Sequence, residues 1–245
     1  MTADITKFSE SFKIRASEVD IKGKATLPAL CSLFQEVAGN HALKLNFDIS
    51  QLHKQNLTWV LHRMDTNITR FPDWRENITI ETWPAAGDAL RAYRNYRILD
   101  AQNEQIGSCL SYWMMINMET RRPTRMPPEV LELRLKKIDH VLPVKNSRMK
   151  PFEDPQKNTT IDVRRSDEDM NRHVNNARYV EWMMELYDKN DTSMINEMDI
   201  IFLKESKAGD RIISSVKKTD GVIKFQLKNQ DKEVLALAEC KSRSN

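Results

Sequence analysis

The chain has 245 residues, and its 38 lysines and arginines nearly balance its 35 acidic residues, leaving a formal net charge of +3. A chain so close to neutral is not a bulk nucleic-acid binder, and no stretch approaches the ~20 consecutive apolar residues of a membrane-spanning helix. It contains only 6 glycines, and no two lie closer than twelve positions. This spacing excludes the glycine-rich phosphate loops of nucleotide-binding proteins and the Gly-x-Ser-x-Gly elbow of serine hydrolases.

The opening residues and the cysteines indicate a cytoplasmic protein. Residues 1–11 contain no apolar run, so no signal peptide is expected. The three cysteines, Cys31, Cys109 and Cys240, are far apart and odd in number, which favours reduced thiols over a disulfide framework. The histidines and cysteines show no metal-ligand spacing, so neither a metal nor a cofactor is expected.

The chain contains an internal repeat. A shift of 149 residues places 14–21 on 163–170, with an arginine, a serine and an aspartate identical in the two segments. A shift of 134 residues then places 64–65 on 198–199, both Met-Asp. Because the order of predicted elements also repeats, we predict two related halves, each with a short strand, a turn, one helix and several strands.

In the first half, apolar residues recur at helical spacing from Leu27 to Ala38. Thr26 can cap this predicted helix, and Pro28 suits its first turn. Alternating, branched and aromatic residues then predict strands at 78–83, 93–99 and 109–116.

In the second half, the helical stripe consists of Val180, Met183, Met184 and Tyr187, with Asn175 or Asn176 as the predicted cap. Strands are predicted at 198–203, 211–216, 222–227 and 234–240. Several strands after one helix in each half predict an α+β fold in which the helix packs on an antiparallel sheet.

The predicted organisation is an N-terminal half at 1–128, a connection at 129–158 and a C-terminal half at 159–245. Prolines and basic residues mark the connection. Residues 120–150 hold nine basic residues against three acidic ones; the basic residues are Arg121, Arg122, Arg125, Arg134, Lys136, Lys137, Lys145, Arg148 and Lys150. This stretch is either a solvated linker or a docking site for an acidic partner.

Comparing the halves isolates polar residues that only the second half has. They are Asn171 in place of Lys22, His173 in place of Lys24 and Glu205 in place of Phe71, whereas Asp169 matches Asp20. As an alternative to a catalytic role, such residues can be helix caps or hydrogen-bonded polar groups with only a structural role.

The spacing of Asp169, Asn171 and His173 suggests a catalytic site. An extended segment would point all three side chains the same way, just before a helix whose free amides suit an oxyanion. A histidine can shuttle a proton near neutral pH, and a carboxylate such as Glu205 can hold or deprotonate a water. Together these groups could hydrolyse an ester or thioester without a serine nucleophile.

These residues also resemble a known family, the acyl-acyl carrier protein (acyl-ACP) thioesterases of plants and bacteria. The segment 169–176, followed by Tyr179, Trp182 and Glu185, is similar to the family's signature. Four further blocks resemble members of the family in the same order, at 58–64, 71–74, 80–83 and 113–117. The resemblance extends from about residue 8 to residue 240.

The resemblance implies a double hotdog fold, in which each half is a long helix wrapped by an antiparallel sheet. It implies that Asp169, Asn171, His173 and Glu205 are catalytic, and that the first half shapes the pocket for the acyl chain. Plant members have a cysteine directly after the catalytic glutamate, where this chain has Ser206. A mechanism that resembles that of the cysteine proteases is therefore doubtful here.

The implied activity is hydrolysis of fatty acyl-ACP, with the carrier protein as partner and the enzyme as a monomer or homodimer. The alternatives are an acyl-coenzyme A (acyl-CoA) thioesterase, a hotdog dehydratase, which would leave the thioester whole, and a non-catalytic acyl-binding module.

Overall fold

The structure is a computed structural model that describes residues 6–85, 87–132, 140–187 and 194–243. The chain divides into two compact units, Met1–Met64 with Ile68–Val144, and Asp65–Asn67 with Lys145–Asn245. Among the helices in these described ranges, none is both long enough and apolar enough to cross a membrane. The three cysteines all lie in described segments, and none of them forms a disulfide.

The first unit contains one long helix and a set of antiparallel strands. In chain order its elements are β1 (Phe8–Lys13), α1 (Leu27–Lys44), α2 (Ile49–His53), β2 (Leu57–Ile68), β3 (Asn77–Ala85), β4 (Arg91–Leu99), β5 (Gln105–Asn117), β6 (Pro123–Thr124) and α3 (Pro128–Glu132). The strands are hydrogen-bonded in the order β1-β3-β4-β5-β2, with β6 beside β5.

Helix α1 forms where the sequence predicts it, for identifiable reasons. The hydroxyl of Thr26 accepts a hydrogen bond from the Ala29 amide at 3.3 Å, and Pro28 lies in the first turn, where its missing N–H costs nothing. The apolar face, which includes Phe34, is buried. The Phe34 ring lies 5.0 Å from that of Tyr96 on β4, so this face packs against the sheet of the same unit.

The second unit repeats the plan with a shorter helix. Its elements are β7 (Lys157–Asp162), α4 (Asn176–Met184), β8 (Met194–Phe202), β9 (Arg211–Thr219), β10 (Val222–Asn229) and β11 (Val234–Arg243). The strands are hydrogen-bonded in the order β8-β11-β10-β9-β7, and every pair is antiparallel.

Helix α4 begins as predicted and ends earlier than the apolar stripe suggests. Of the two candidate caps, Asn175 is the one used, and its side chain accepts a hydrogen bond from the Ala177 amide at 2.9 Å. The helix ends at Met184, so Tyr187, which the stripe includes, lies in the turn that follows. Residues 188–193 are outside the described part of the chain.

Backbone hydrogen bonds show that the two units are structural repeats. In the first unit the Ile14 amide donates to the Glu76 carbonyl, and in the second the Val163 amide donates to the Asp210 carbonyl, both at 2.9 Å. The members of these pairs are related by the shifts of 149 and 134 residues found in the sequence. The predicted repeat and the α+β class are therefore confirmed.

The predicted bounds of the halves, 1–128 and 159–245, with a connection at 129–158, stay predictions. The unit boundary lies between Val144 and Lys145, inside that connection. The connection contains the end of α3 and the start of β7, and residues 133–139 within it are not described.

Two buried carboxylates of the second unit contact Lys145, the residue at which the longer segment of that unit begins. Asp65 and Asp199 occupy equivalent positions of the repeat, and both are buried. The Lys145 ammonium lies 2.9 Å from an Asp65 oxygen and 3.2 Å from an Asp199 oxygen. Burial alone would lower the pKa of Lys145, but the bond to Asp65 and the charges of both aspartates raise it above its ordinary value.

We predict that Lys145→Met lowers the free energy of unfolding by about 2 kcal/mol, because it removes an ammonium group that contacts two buried carboxylates. This figure is below that for a fully buried pair, since the lysine is partly exposed. The matched control is Lys224→Met. Lys224 lies 3.3 Å from the exposed carboxylate of Glu239, and the loss of this ion pair should lower the free energy of unfolding by less than about 1 kcal/mol. Urea unfolding of both variants measures the difference, and equal losses would contradict the prediction.

Candidate active site

The segment before α4 is a closed turn. The Asp169 amide donates to the His173 carbonyl at 2.8 Å, and the Arg172 amide donates back to the Asp169 carbonyl at 3.0 Å. The Asp169 carboxylate accepts the Asn171 amide at 2.7 Å, as aspartates commonly do in turns. The extended geometry expected from the alternation of Asp169, Asn171 and His173 is therefore wrong, because the aspartate side chain folds the backbone back on itself.

The first unit contains the same turn. The Asp20 amide donates to the Lys24 carbonyl at 2.8 Å, and the Asp20 carboxylate accepts the Lys22 amide at 2.8 Å. Gly23 has a φ of 74°, and the equivalent Arg172 has a φ of 62°. The turn is thus a property of the repeat, and its aspartate has a structural role in both units.

The loop that contains Glu205 is anchored to this turn. The Val174 amide donates to the Ser206 carbonyl at 2.8 Å, just as the Ala25 amide donates to the Pro72 carbonyl at 2.8 Å in the first unit. Glu205 therefore occupies the position that Phe71 has in the first unit, as the sequence comparison predicted.

The structure brings His173 and Glu205, which are distant in sequence, into side-chain contact. The Nδ1 atom of His173 lies 3.3 Å from an Oε1 atom of Glu205. The two side chains are 36% and 40% exposed, so a substrate in solution can reach both. The separation slightly exceeds an ordinary N–H···O bond, and catalytic contacts in unliganded sites are often this long.

Asp169 and Asn171 are differently arranged. The Asn171 side-chain amide donates to the second Asp169 oxygen at 3.4 Å, so both side chains are engaged within the turn. Among the described residues, neither side chain makes a hydrogen bond to the side chain of His173 or Glu205. The structure thus gives Asp169 and Asn171 a direct part in shaping the turn that presents His173.

Two buried residues beside the site were not predicted as part of it. Ser206 is buried, and its hydroxyl donates to Asp210 at 2.8 Å, which leaves it pointing into the loop. Tyr179 is also buried on α4, and its hydroxyl donates to the Lys204 carbonyl at 3.4 Å. Burial, with the negative charges of Glu205 and Asp210, raises the pKa of Tyr179. The comparison of the two halves could have singled out Ser206, because a shift of 134 residues aligns it with Pro72.

Cys240 lies in β11 and is buried. Burial and the charges of Asp199 and Glu239 raise its pKa, which disfavours the nucleophilic thiolate. Burial likewise raises the pKa of Cys31 to about 12. Within the described residues, no three His, Cys, Asp or Glu side chains are grouped so that they could hold a metal ion.

The basic stretch is described in part. Arg134, Lys136 and Lys137 lie outside the described residues, and Lys145 is bound to the two buried aspartates. The remaining members are exposed, namely Arg121, Arg122, Arg125, Arg148 and Lys150. Docking of a carrier protein on this stretch stays a prediction.

Comparison with known proteins identifies the family. The sequence matches the family models described as the acyl-ACP thioesterase N-terminal domain, over residues 5–133, and C-terminal domain, over residues 151–242. The chain belongs to the acyl-ACP thioesterase family. The resemblance noted in the sequence is therefore confirmed.

Individual relatives support the assignment to the acyl-ACP thioesterases. An oleoyl-acyl carrier protein thioesterase of Coriandrum sativum is 33% identical over 220 residues, which is 83% of this chain and 59% of the relative. Oleoyl-acyl carrier protein thioesterase 2 of Arabidopsis thaliana is 30% identical over 226 residues, 84% of this chain and 62% of the relative. The chain thus spans less than two thirds of the length of these chloroplastic relatives.

Solved structures confirm the fold of this acyl-ACP thioesterase family member. An acyl-ACP thioesterase of Bacteroides thetaiotaomicron matches with a TM-score of 0.90 and 26% identity over 99% of this chain and 100% of that one. A 12:0-ACP thioesterase of Umbellularia californica matches in fold, with a TM-score of 0.87 and 22% identity over 98% of both chains. The predicted double hotdog fold is confirmed, although α4 is the shorter of the two long helices.

The duplicated turn generates a paired prediction. Asp169→Ala and Asp20→Ala should each lower the free energy of unfolding by about 1 kcal/mol, because each removes a carboxylate that accepts a backbone amide in the same turn. Chemical denaturation measures both losses. A much larger loss for only one of them would show that the two turns are not equivalent in stability.

Proposed function

We propose that the chain hydrolyses the thioester that joins a fatty acyl chain to acyl carrier protein, releasing the free fatty acid and the carrier thiol. The observation that supports this most is the contact between His173 on the turn and Glu205 on the adjoining loop, at 3.3 Å. The equivalent positions of the first unit are Lys24 and Phe71, which cannot form such a pair. The family and the relatives described above give the substrate class.

The geometry supports His173 as the group that removes a proton from the attacking water. A carboxylate has only acceptors, so the contact of Glu205 with a neutral imidazole requires the proton on Nδ1. This leaves Nε2 to accept a proton from water, while Glu205 orients the ring and stabilises the imidazolium. The assignment makes Glu205 the partner of the base, and makes Asp169 and Asn171 positioning residues.

The reaction then follows without a covalent intermediate. The water oxygen bonds to the thioester carbon as its proton passes to Nε2 of His173. The negative charge on the carbonyl oxygen can be stabilised by the start of α4, where the helix dipole is positive. The carbon–sulfur bond breaks, and the imidazolium returns its proton to the leaving thiolate.

Neither Ser206 nor Cys240 supplies a nucleophile in this proposal. The Ser206 hydroxyl is 3% exposed as a residue and donates to Asp210, so it does not face a substrate. Cys240 is buried within a strand, and its thiolate is disfavoured. Water attack remains the chemistry that the arrangement of side chains favours.

Alanine at His173 or Glu205 should lower kcat by about 10²–10⁴-fold, the usual contribution of a general acid–base group. Ser206→Ala is the matched control in the same loop and should lose less than about tenfold, since it removes only a structural hydrogen bond. The measurement is thiol release from a series of acyl-ACP esters of different chain length, with circular dichroism to check folding. Near-full activity of both active-site variants, or inactivity of folded Ser206→Ala, would refute this site.

The same assay separates the reaction from its alternatives. A dehydratase would leave the thioester intact and release no thiol, and an acyl-binding module would bind the ester without turnover. A strong preference for the coenzyme A ester over the carrier-bound ester would instead indicate an acyl-CoA thioesterase.

If the carrier protein docks through the basic stretch at 120–150, the rate on carrier-bound substrate should fall with salt more steeply than the rate on the coenzyme A ester. The measurement is kcat/KM for both esters between low and high ionic strength. Equal salt dependence would argue against docking by charge.

A further inference from the structure

The turn of the first unit exposes an apolar tip beside a tryptophan. Ile21, at the tip of the turn, is fully exposed, and Trp74, on the loop that follows β2, is 47% exposed. The turn and the loop are joined, because the Trp74 amide donates to the Gly23 carbonyl at 2.8 Å. Two apolar side chains on this joined turn and loop would therefore gain free energy if a partner removed them from water.

Two exposed cations accompany these apolar side chains. Lys22 directly follows Ile21, and the guanidinium of Arg75 lies 4.0 Å from the centre of the Trp74 ring. Both basic residues are exposed, and within the described ranges neither forms an ion pair. The stacked guanidinium keeps its charge while it lies against the tryptophan, so the aromatic ring and a positive charge are presented together.

The acidic groups of the same turn and loop are already engaged. Asp73 pairs with Lys24 at 2.8 Å, and Glu76 pairs with Arg70 at 2.7 Å. The Asp20 carboxylate accepts two backbone amides of the turn, at 2.8 and 3.0 Å. The charges that this surface offers to an outside partner are therefore mainly positive.

The exposed apolar area suits a lipid surface better than a protein partner. A fully exposed isoleucine and a half-exposed tryptophan offer about 300 Å², whereas an ordinary protein interface buries about 800 Å² on each partner. A bilayer needs no larger complementary surface, because the tip of a turn can enter its interfacial layer. Tryptophan favours that layer, and lysine and arginine are attracted to anionic headgroups.

We propose that Ile21, Lys22, Trp74 and Arg75 form a lipid-binding patch that attaches the chain reversibly to an anionic membrane surface. The apolar side chains of the patch enter the interfacial layer, and its two cations contact the lipid phosphates. Binding of this kind needs no turnover, so the inference goes beyond the proposed function and does not depend on it.

The second unit supplies matched substitutions and a control. At the positions of Trp74 and Arg75 it has Ala208 and Gly209, so Trp74→Ala and Arg75→Gly install residues that the repeat already has there. The turn of the second unit also has an exposed apolar tip, Met170, which is 85% exposed. Met170→Ser is the control, because it removes an apolar tip from a turn that has no tryptophan at the equivalent position of the loop.

The test measures sedimentation of the chain with vesicles of phosphatidylcholine alone and with vesicles that contain about one third phosphatidylglycerol. We expect the unchanged protein to bind the anionic vesicles only, and more weakly as the salt concentration rises. Ile21→Ser and Trp74→Ala should each lower the partition coefficient at least about threefold. Lys22→Ser and Arg75→Gly should each lower it about fivefold, and Met170→Ser less than about twofold.

Tryptophan fluorescence measures insertion independently. All five tryptophans lie in the described segments, and Trp74 is the exposed one among them. Anionic vesicles should therefore shift the emission to shorter wavelength, and Trp74→Ala should abolish the shift. Because Ile21 is fully exposed, Ile21→Ser leaves the packing of the unit intact, and circular dichroism checks the fold of every variant.

Each other result overturns the inference. If the unchanged protein does not bind anionic vesicles, the patch does not bind lipid. If Met170→Ser weakens binding as much as Trp74→Ala, the binding is not specific to the patch, and binding without a fluorescence shift shows attraction by charge alone. Self-association that Ile21→Ser removes, in a protein that does not bind vesicles, assigns the patch to a contact between two copies of the chain.

Discussion

The geometry of the candidate site depends on a carboxylate that accepts the amide two residues further along the chain. Asp20 and Asp169 both do this, and each turn is also joined to a later loop, by a bond from Ala25 to Pro72 or from Val174 to Ser206. Because the backbone is held by these bonds, the side chains at the tip of the turn are free to differ without changing its shape. The second unit uses that freedom for polar groups and charges.

This arrangement separates the residues that build the site from those that can act on a substrate. Asp169 is shared by both units and is engaged in the turn, so its position is explained before any chemistry is considered. His173 and Glu205 have no counterpart of the same type in the first unit, and they are in contact. The contrast between the units thus supports the His173–Glu205 pair more strongly than the presence of polar residues alone would.

Much of the fold was predictable because local and repeated signals agree. Thr26, Pro28 and Asn175 begin helices by hydrogen bonding and backbone preference, and the strands of both units follow the alternation of side chains. Strand β2 was not predicted, because buried polar residues such as Arg63, Asp65 and Thr66 interrupt its alternation.

Within the site, the residues were predictable but their local geometry was not. A spacing of two residues is compatible with a strand or with a turn closed by an aspartate. A left-handed residue is expected at a glycine such as Gly23 but not at an arginine, so the sequence of the second half did not indicate that Arg172 has this conformation. The contact of His173 with Glu205 spans 32 positions of the chain, and the two residues were connected through the comparison of halves and through the family resemblance. The buried bond of Ser206 to Asp210 has no sequence signal, since both residues are common in exposed loops.

The buried aspartates have a consequence for dividing the chain into two polypeptides. Asp65 and Asp199 occupy one position of the repeat, and both contact the same lysine, which comes from the segment predicted to connect the halves. A cut anywhere between Asp65 and Lys145 would place the first aspartate on one polypeptide and the lysine on the other. The ion pair would then form only if the two pieces associated.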